Sequence, residues 1–172
     1  IYGNSLEELL DNQVAVVSFS HINYRTGKIL PIAELVKQTH DAGALFVLDT
    51  CHSAGILPVE LDQWGVDFAV GCTYKYLNGG PGSPAFIYVA ERHQNEAVNP
   101  LPGWWGHARP FAFENNFHAA EGIRRFRTGS QPVLSLRGLQ AGLEIAQEVD
   151  LQHVRKKSQR LTQLFIELIE SG

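Results

Sequence analysis

Residues 70–83 read VGCTYKYLNGGPGS, an apolar start followed by hydroxyl residues, one lysine and a glycine-rich loop. The apolar run from Phe68 to Gly71 predicts a buried strand. Lys75 follows that strand between two tyrosines, where desolvation can lower the pKa of its amine. A lysine in this position is suited to Schiff-base chemistry, although most lysines at strand ends are simply solvated.

Two apolar runs upstream predict further buried strands. Residues 14–20 and 44–48 are almost continuously apolar, as in parallel strands that are covered on both faces. Between them, apolar residues at helical spacing follow Pro31 and end at Gly43. The order strand, helix, strand predicts a βαβ unit. Residues 84–90 predict a fourth strand, antiparallel or at an edge of the sheet.

Asp49 stands at the carboxyl end of the second predicted strand. Folds of the α/β class place ligand chemistry at this edge, but Asp49 could equally cap a short helix over residues 52–55. Together with Lys75 it forms the pair that pyridoxal phosphate needs, since the lysine carries the cofactor and the aspartate keeps the pyridine nitrogen protonated. His52 could share that site or simply bond to backbone.

The phosphate of that cofactor needs hydrogen-bond donors, and Tyr74, Ser20 and the indole of Trp104 are candidates. Trp104 belongs to the loop GWWGH at 103–107, which holds two large aromatic residues between glycines. Such a loop contacts a ligand or another subunit, or it closes the core of its own domain, and the sequence leaves these alternatives open.

Two long helices are predicted in the C-terminal part of the chain. Ser130 and Pro132 predict the N-cap and first turn of a helix that runs to Val149. Asp150 predicts the cap of a second helix, which runs to Glu170. The apolar residues expected to face inward are Val133, Leu136, Leu139, Leu143 and Ile145 in the first helix, and Leu151, Val154, Leu161, Leu164, Phe165 and Leu168 in the second.

Composition argues against several classes of protein. The chain has 172 residues, 44% of them hydrophobic, and a net charge of −4, which makes nucleic acid an unexpected partner. Its apolar runs are too short for a membrane helix. The two cysteines have neither CxxC nor zinc-site spacing, which argues against a disulfide framework or a metal and for a reducing cytosol. The lack of any Met and a start inside an apparent helix predict an excerpt of a longer polypeptide.

Four motifs in combination resemble the kynureninase family. They are DTCHSAG at 49–55, GCTYKYLNGGPGS at 71–83, GWWGH at 103–107 and GSQP at 129–132. The resemblance runs through nearly the whole chain and implies the α/β fold-type I architecture of pyridoxal-phosphate enzymes, related to class V aminotransferases. It also implies a cytoplasmic homodimer with a shared active site. Residues 1–135 would then belong to the large cofactor-binding domain, and residues 136–172 would lead into a small C-terminal domain.

The resemblance implies roles for individual cofactor-binding residues. Lys75 matches the lysine that bears pyridoxal phosphate, and Asp49 matches the partner of the pyridine nitrogen. Tyr74 and Ser20 match residues around the phosphate. Trp104 matches a cofactor contact that reaches in from the other subunit.

Two further matches concern the substrate. His52 matches a histidine beside the cofactor and the substrate ring, and Ser130 matches a polar side chain near the substrate. The implied reaction is hydrolysis of L-kynurenine or 3-hydroxykynurenine to anthranilate or 3-hydroxyanthranilate and L-alanine, in the tryptophan catabolism that leads to NAD. Lys75 is the implied base and Tyr74 a proton relay. Other contacts are implied outside this stretch, so the excerpt alone is expected to lack part of the site.

Other functions stay open from the residues alone. Another fold-type I enzyme, such as a class V aminotransferase or a cysteine desulfurase, shares the order Asp then Lys but commonly has His at the position of Tyr74. A nucleotide-binding α/β module without catalysis is disfavoured, because residues 78–83 fit neither GxGxxG nor the Walker pattern. The presence of both Asp49 and Lys75 argues against an inactive relative that serves only in dimerisation.

Overall fold

The computed structural model describes residues 6–172. Its helices and strands, in chain order, are α1 (Leu6–Leu9), β1 (Val16–Ser20), α2 (Ile32–Asp41), β2 (Leu45–Asp49), α3 (Leu61–Trp64), β3 (Phe68–Gly71), β4 (Phe86–Val89), α4 (Glu91–Gln94), α5 (Val133–Gln147) and α6 (Leu151–Glu170). Short 3-10 helices at Trp104–Gly106 and Gly122–Phe126 lie between α4 and α5. The expected helix at the start of the chain is present as α1, while its continuation to Ile1 lies outside the described residues.

The sheet has four strands in the order β1-β2-β3-β4. β1, β2 and β3 are parallel, with Ser20 opposite Asp49 and Asp49 opposite Val70. β4 pairs antiparallel with β3 at the edge. These pairings confirm the predicted βαβ unit and the antiparallel edge strand. Because parallel strands end at the same side of a sheet, the carboxyl ends of β1, β2 and β3 come together there.

The core lies between α2 and the sheet. Phe46 and Leu48 of the central strand β2 are fully buried, and Ile32, Val36 and Thr39 form the buried face of α2. Burying each large aliphatic or aromatic side chain contributes about 2 kcal/mol to folding. This packing fixes β2 in the sheet, and with it the position of the aspartate at its end.

Helix α5 packs against the glycine-rich loop through Gly142. A Cβ atom at this position would lie 2.6 Å from the carbonyl oxygen of Leu77 and 3.0 Å from that of Asn78, so the close approach requires glycine. The helix thereby supports the loop that follows Lys75.

Two local predictions for short segments are wrong. The N-cap of α5 is Pro132, which makes no side-chain cap hydrogen bond, and Ser130 stands too far before the first turn to cap it. Residues 51–56 form turns, where a short helix over 52–55 was the alternative.

The cap of α6 is confirmed. The side chain of Asp150 accepts hydrogen bonds from the backbone N–H groups of Gln152 and His153, as a helix N-cap does. The negative charge of Asp150 is also favoured at this end of the helix dipole. The two backbone hydrogen bonds, and after them the charge of the His153 side chain, hold the pKa of the Asp150 carboxyl below its usual value.

The inward face predicted for α6 is largely exposed. Leu151 and Val154 are half-buried, but Leu164, Phe165 and Leu168 are 50%, 64% and 64% exposed. Helix α5 is mixed, with Leu139 buried and Leu143 half-buried, while Val133, Leu136 and Ile145 are exposed. Periodicity shows that a helix has an apolar face, but burial needs a packing partner, and residues 6–172 supply none for this half of α6.

Among the helices of residues 6–172, none is long and apolar enough to cross a membrane.

Candidate active site

The candidate site lies at the carboxyl ends of β1, β2 and β3. Ser20 is the last residue of β1, Asp49 is the last residue of β2, and Lys75 follows shortly after β3 ends at Gly71. The parallel order therefore brings together three side chains that are far apart in sequence. This is the edge at which α/β sheets bind ligands.

Asp49 is held by hydrogen bonds to both oxygens of its carboxylate. The hydroxyl of Ser20 donates to Oδ2 at 3.1 Å, and the backbone N–H of Cys51 donates to Oδ1 at 2.7 Å. Burial raises the pKa of Asp49, but the hydrogen bonds from Cys51 and Ser20 and the charge of His52 outweigh it and lower the pKa below its usual value. Asp49 is therefore a fixed anion at neutral pH.

Lys75 contacts His52 and Tyr74. Its Nζ atom lies 3.1 Å from Nε2 of His52 and 5.5 Å from the centre of the Tyr74 ring. Tyr74 itself is 52% exposed. His52 thus joins the turn after β2 to the lysine after β3. Its role at the cofactor and the substrate stays a prediction.

The predicted lowering of the Lys75 pKa is wrong. Burial does lower it, but the lysine is only half-buried, and the negative charges that Cys72, Tyr74 and Cys51 carry when ionised raise the pKa above its usual value. The amine by itself is therefore a protonated group at neutral pH. It must lose a proton before it can act as a nucleophile.

The loop that carries Lys75 is fixed by Thr73, a residue that sequence reasoning did not single out. The buried hydroxyl of Thr73 is hydrogen-bonded to the Ser83 hydroxyl at 2.7 Å and donates to the carbonyl oxygen of Pro84. The backbone N–H of Gly79 donates to the Thr73 carbonyl at 2.9 Å. The signal was the pair of hydroxyl residues that bracket the glycine-rich segment, since such residues close loops by side-chain bonds.

Trp104 and Ser130 lie together, on a cavity that neither Asp49 nor Lys75 lines. They line a cavity of about 190 Å³ with Trp105, Gln131 and Val133. Trp104 is 46% exposed and packs edge-on against Trp105, with ring centres 4.6 Å apart. Across residues 6–172, neither Trp104 nor Ser130 hydrogen-bonds to Asp49, His52 or Lys75. Their assignment to the cofactor or substrate stays a prediction.

The side chains at the strand ends fit a pyridoxal-phosphate site. They provide a fixed carboxylate to pair with a protonated pyridine nitrogen and a lysine amine whose neighbour is a histidine instead of an acid. Ser20, which binds Asp49, also lines a cavity of about 460 Å³ together with Ser18, Tyr24 and Lys28. Open space therefore lies beside Ser20.

Comparison with known proteins identifies the family. A family model described as aminotransferase class-V matches residues 2–172. The chain belongs to this family. This class-V aminotransferase chain is 46% identical over 166 residues to a protein named kynureninase from Burkholderia mallei, and 46% identical over 165 residues to one from Pseudomonas fluorescens. The matches confirm the resemblance and cover 96% of this chain, which spans 40% of the length of these curated relatives.

Solved structures confirm the fold-type I architecture of this class-V aminotransferase chain. The cysteine desulfurase CsdA from Escherichia coli matches with a TM-score of 0.79 at 20% identity, over 97% of this chain and 41% of that one. A C-DES variant with glycine covalently linked to its pyridoxal-phosphate cofactor matches with a TM-score of 0.76 at 22% identity, over 88% and 40%. An alanine–glyoxylate aminotransferase from Nostoc matches with a TM-score of 0.65 at 21% identity, over 98% and 45%.

Proposed function

We propose that the whole protein is a pyridoxal-phosphate-dependent hydrolase that cleaves L-kynurenine, or 3-hydroxykynurenine, to anthranilate, or 3-hydroxyanthranilate, and L-alanine. The observation that carries this proposal is the 46% identity to kynureninases over 96% of the chain. The fixed anion of Asp49 and the histidine-bonded amine of Lys75 support it, because both groups are needed by this cofactor.

The cofactor-bearing residue is Lys75, and Asp49 pairs with the pyridine nitrogen. His52 orients the lysine amine and contacts the substrate ring, and Tyr74 lies beside the phosphate. Ser20 supports the site through its bond to Asp49, in addition to the phosphate contact that the resemblance implies. Trp104 and Ser130, which line one cavity, complete the cofactor and substrate contacts.

Proton transfer is the main chemical task of these residues. When bound, pyridoxal phosphate supplies an electron sink for the negative charge that develops at the substrate α-carbon. Asp49 maintains that capacity by holding a positive charge on the pyridine ring. Once its amine has lost a proton, Lys75 accepts the α-proton, and His52 keeps that amine in place. The hydroxyl of Tyr74 returns a proton as alanine forms, after water has added to the γ-ketone and anthranilate has left.

A cysteine desulfurase is the second candidate, since structures of that class share the fold. Those structures are 20% and 24% identical to this chain, which supports the fold and no particular substrate. A desulfurase needs a reactive thiolate on a mobile loop. Here burial, and after it the hydrogen bond to Asp49, raises the pKa of Cys51 to about 11 and keeps its thiol neutral. The 46% identity to kynureninases makes kynurenine hydrolysis the better proposal.

We propose the remaining properties of the whole protein from its resemblance to kynureninases. Residues 1–135 form part of the large cofactor-binding domain, and residues 136–172 lead into a small domain. The protein acts in the cytoplasm as a homodimer with a shared active site, in tryptophan catabolism that feeds NAD biosynthesis. Exposed apolar side chains on α6, among them Leu164 and Phe165, are consistent with further packing partners in the assembled enzyme.

The decisive experiment uses the full-length protein with pyridoxal phosphate. We expect release of an aromatic amine from kynurenine, measured by anthranilate fluorescence, and cofactor trapped on Lys75 after borohydride reduction. Lys75→Ala should abolish both, while Lys37→Ala, an exposed lysine on α2 that pairs with Asp41, should change neither. Trapping on Lys75 without anthranilate release would reject kynurenine as the substrate, and absence of trapping would reject the cofactor assignment.

A further inference from the structure

The two cysteines of the chain lie opposite each other at the ends of neighbouring parallel strands. Asp49 of β2 is paired with Val70 of β3, and Cys51 and Cys72 each stand two residues further along. The ladder continues past the strand end, because the backbone N–H of Thr50 donates to the carbonyl of Val70 at 2.8 Å. Cys51 and Cys72 therefore both lie just beyond the paired ends of the two strands.

The Cys72 side chain contacts the backbone of Cys51. Sγ of Cys72 donates a weak hydrogen bond to the carbonyl oxygen of Cys51 at 3.7 Å. Neighbouring strands are about 4.8 Å apart, within the range of about 4.4–6.8 Å over which disulfides join α-carbons. A covalent bond between these residues thus needs rotation of side chains and little movement of backbone.

Both thiols are reduced, and small reagents can reach them. Cys51 and Cys72 are free cysteines, each half-buried. Within residues 1–172, Cys51 and Cys72 are the two cysteines, so each is the other's one possible partner in this part of the protein. An oxidant that reacts with either thiol is therefore followed by capture at the other.

We infer that Cys51 and Cys72 form a reversible disulfide that controls cofactor loading at the neighbouring site. Hydrogen peroxide transfers an oxygen atom to Cys72, which becomes a sulfenic acid as one water is released. The Cys51 sulfur then displaces a second water and forms the S–S bond. In sum, two thiols lose two protons and two electrons, and one peroxide is reduced to two waters. A thiol reductant reverses the reaction by exchange.

The order of attack follows from the environment of Cys51. Burial, followed by the hydrogen bond to Asp49, raises the pKa of the Cys51 thiol, so the first oxidation is assigned to Cys72. Cys51 is held beside Cys72 and captures the sulfenic acid there, losing its proton as the S–S bond forms.

The consequence for the site rests on the proposed function. Cys51 supplies the backbone N–H that holds Asp49, and its neighbour His52 holds the amine of Lys75. Closing a bond from Cys51 to Cys72 turns the Cys51 side chain and constrains the segment that carries both contacts. We expect slower and weaker capture of pyridoxal phosphate by Lys75 in the oxidised protein.

The first test maps the bond without any cofactor. Trypsin releases residues 38–75 as one peptide, since no Lys or Arg interrupts it, and both cysteines lie on this peptide. After treatment with peroxide, the mass of this peptide should be lower by two hydrogen atoms, and its cysteines should resist alkylation. Cleavage after Glu60 should then leave the two halves of the peptide joined until a reductant is added. Two alkylated thiols, sulfinic or sulfonic acid, or a dimer linked between chains would each overturn the inference.

Single serine variants test the order of attack and the control of loading. Cys51→Ser should accumulate a dimedone-reactive sulfenic acid at Cys72, whereas Cys72→Ser should not react at Cys51. In the full-length protein, peroxide should lower borohydride-trapped cofactor in the wild type and not in Cys51→Ser. A mapped disulfide with unchanged loading would reject the control, and failure of trapping in the reduced wild type would instead reject the proposed function.

Discussion

The Nζ atom of Lys75 lies 3.1 Å from Nε2 of His52, which links the segment after β3 to the turn after β2. The two residues are brought together by the parallel pairing of β2 with β3. Because the lysine has no carboxylate partner within residues 6–172, the histidine is the group that orients its amine.

His52→Ala should reduce turnover of the full-length protein by about tenfold to a hundredfold, since a hydrogen bond to a charged group contributes about 1.5–3 kcal/mol. The measurements are kcat and the rate of borohydride trapping on Lys75. His153→Ala is the matched control, because His153 is exposed on α6. Equal rates for both variants would show that His52 does not orient the lysine.

Asp49→Asn and Ser20→Ala test how the carboxylate is used. We expect a loss of about a hundredfold or more in kcat for Asp49→Asn, which removes the anion, and of about fivefold for Ser20→Ala, which removes one hydrogen bond. The double variant separates two roles of the serine. If Ser20 acts through Asp49, its removal should cost nothing further in the Asp49→Asn background, whereas an independent phosphate contact should cost the same in both backgrounds.

Asp67 should make the stability of the chain sensitive to acid. This buried carboxylate accepts hydrogen bonds from the backbone N–H of Phe46, from His40 and His93, and from Arg92. Burial raises the pKa of Asp67, but these donors, led by Phe46, lower it far below the usual value. Its contribution is therefore complete above the unfolded pKa of about 4 and is lost as pH falls below it.

Urea unfolding of Asp67→Asn should show this dependence. At pH 7 the variant should lose about 3 kcal/mol of unfolding free energy, and the difference from wild type should shrink at pH 3. Asp41→Asn, at an exposed ion pair, should change stability by less than about 1 kcal/mol. A difference for Asp67→Asn that stays constant with pH would contradict the assignment.

Two glycines of α5 should respond in opposite directions to alanine. Within a helix, Gly→Ala normally stabilises by about 1 kcal/mol, and Gly138→Ala should do so because its Cβ would meet the Gly79 carbonyl at an ordinary 3.5 Å. Gly142→Ala would push α5 away from Leu77 and should destabilise by about 1–3 kcal/mol. Thermal unfolding measures both, and stabilisation by Gly142→Ala would disprove the close contact.

Truncation of leucines should separate the packed helix from the unpacked one. Leu139→Ala on α5 removes a buried side chain and should destabilise this chain by about 2–4 kcal/mol. Leu164→Ala on α6 removes a side chain that is 50% exposed and should cost less than about 0.5 kcal/mol. Similar losses for the two variants would mean that α6 has a packing partner within the chain.

Much of the fold could be read from local patterns. The apolar runs ending at Ser20, Asp49 and Gly71 identified three strands, and their alternation with a helix identified parallel pairing. Chain order then placed Asp49 and Lys75 at one edge of the sheet. These conclusions hold because strand and helix periods, and the handedness of βαβ units, are properties of short segments.

Other features depend on contacts between distant segments, and only the tertiary structure decided them. It placed Ser20 on Asp49, His52 on Lys75 and Cys51 opposite Cys72. It also reversed the expected direction of the Lys75 pKa, because that depends on which ionisable groups surround the amine and how far water reaches it. Burial of an apolar helix face, likewise, is a property of the pair of surfaces that meet, which is why α6 carries its pattern without being covered.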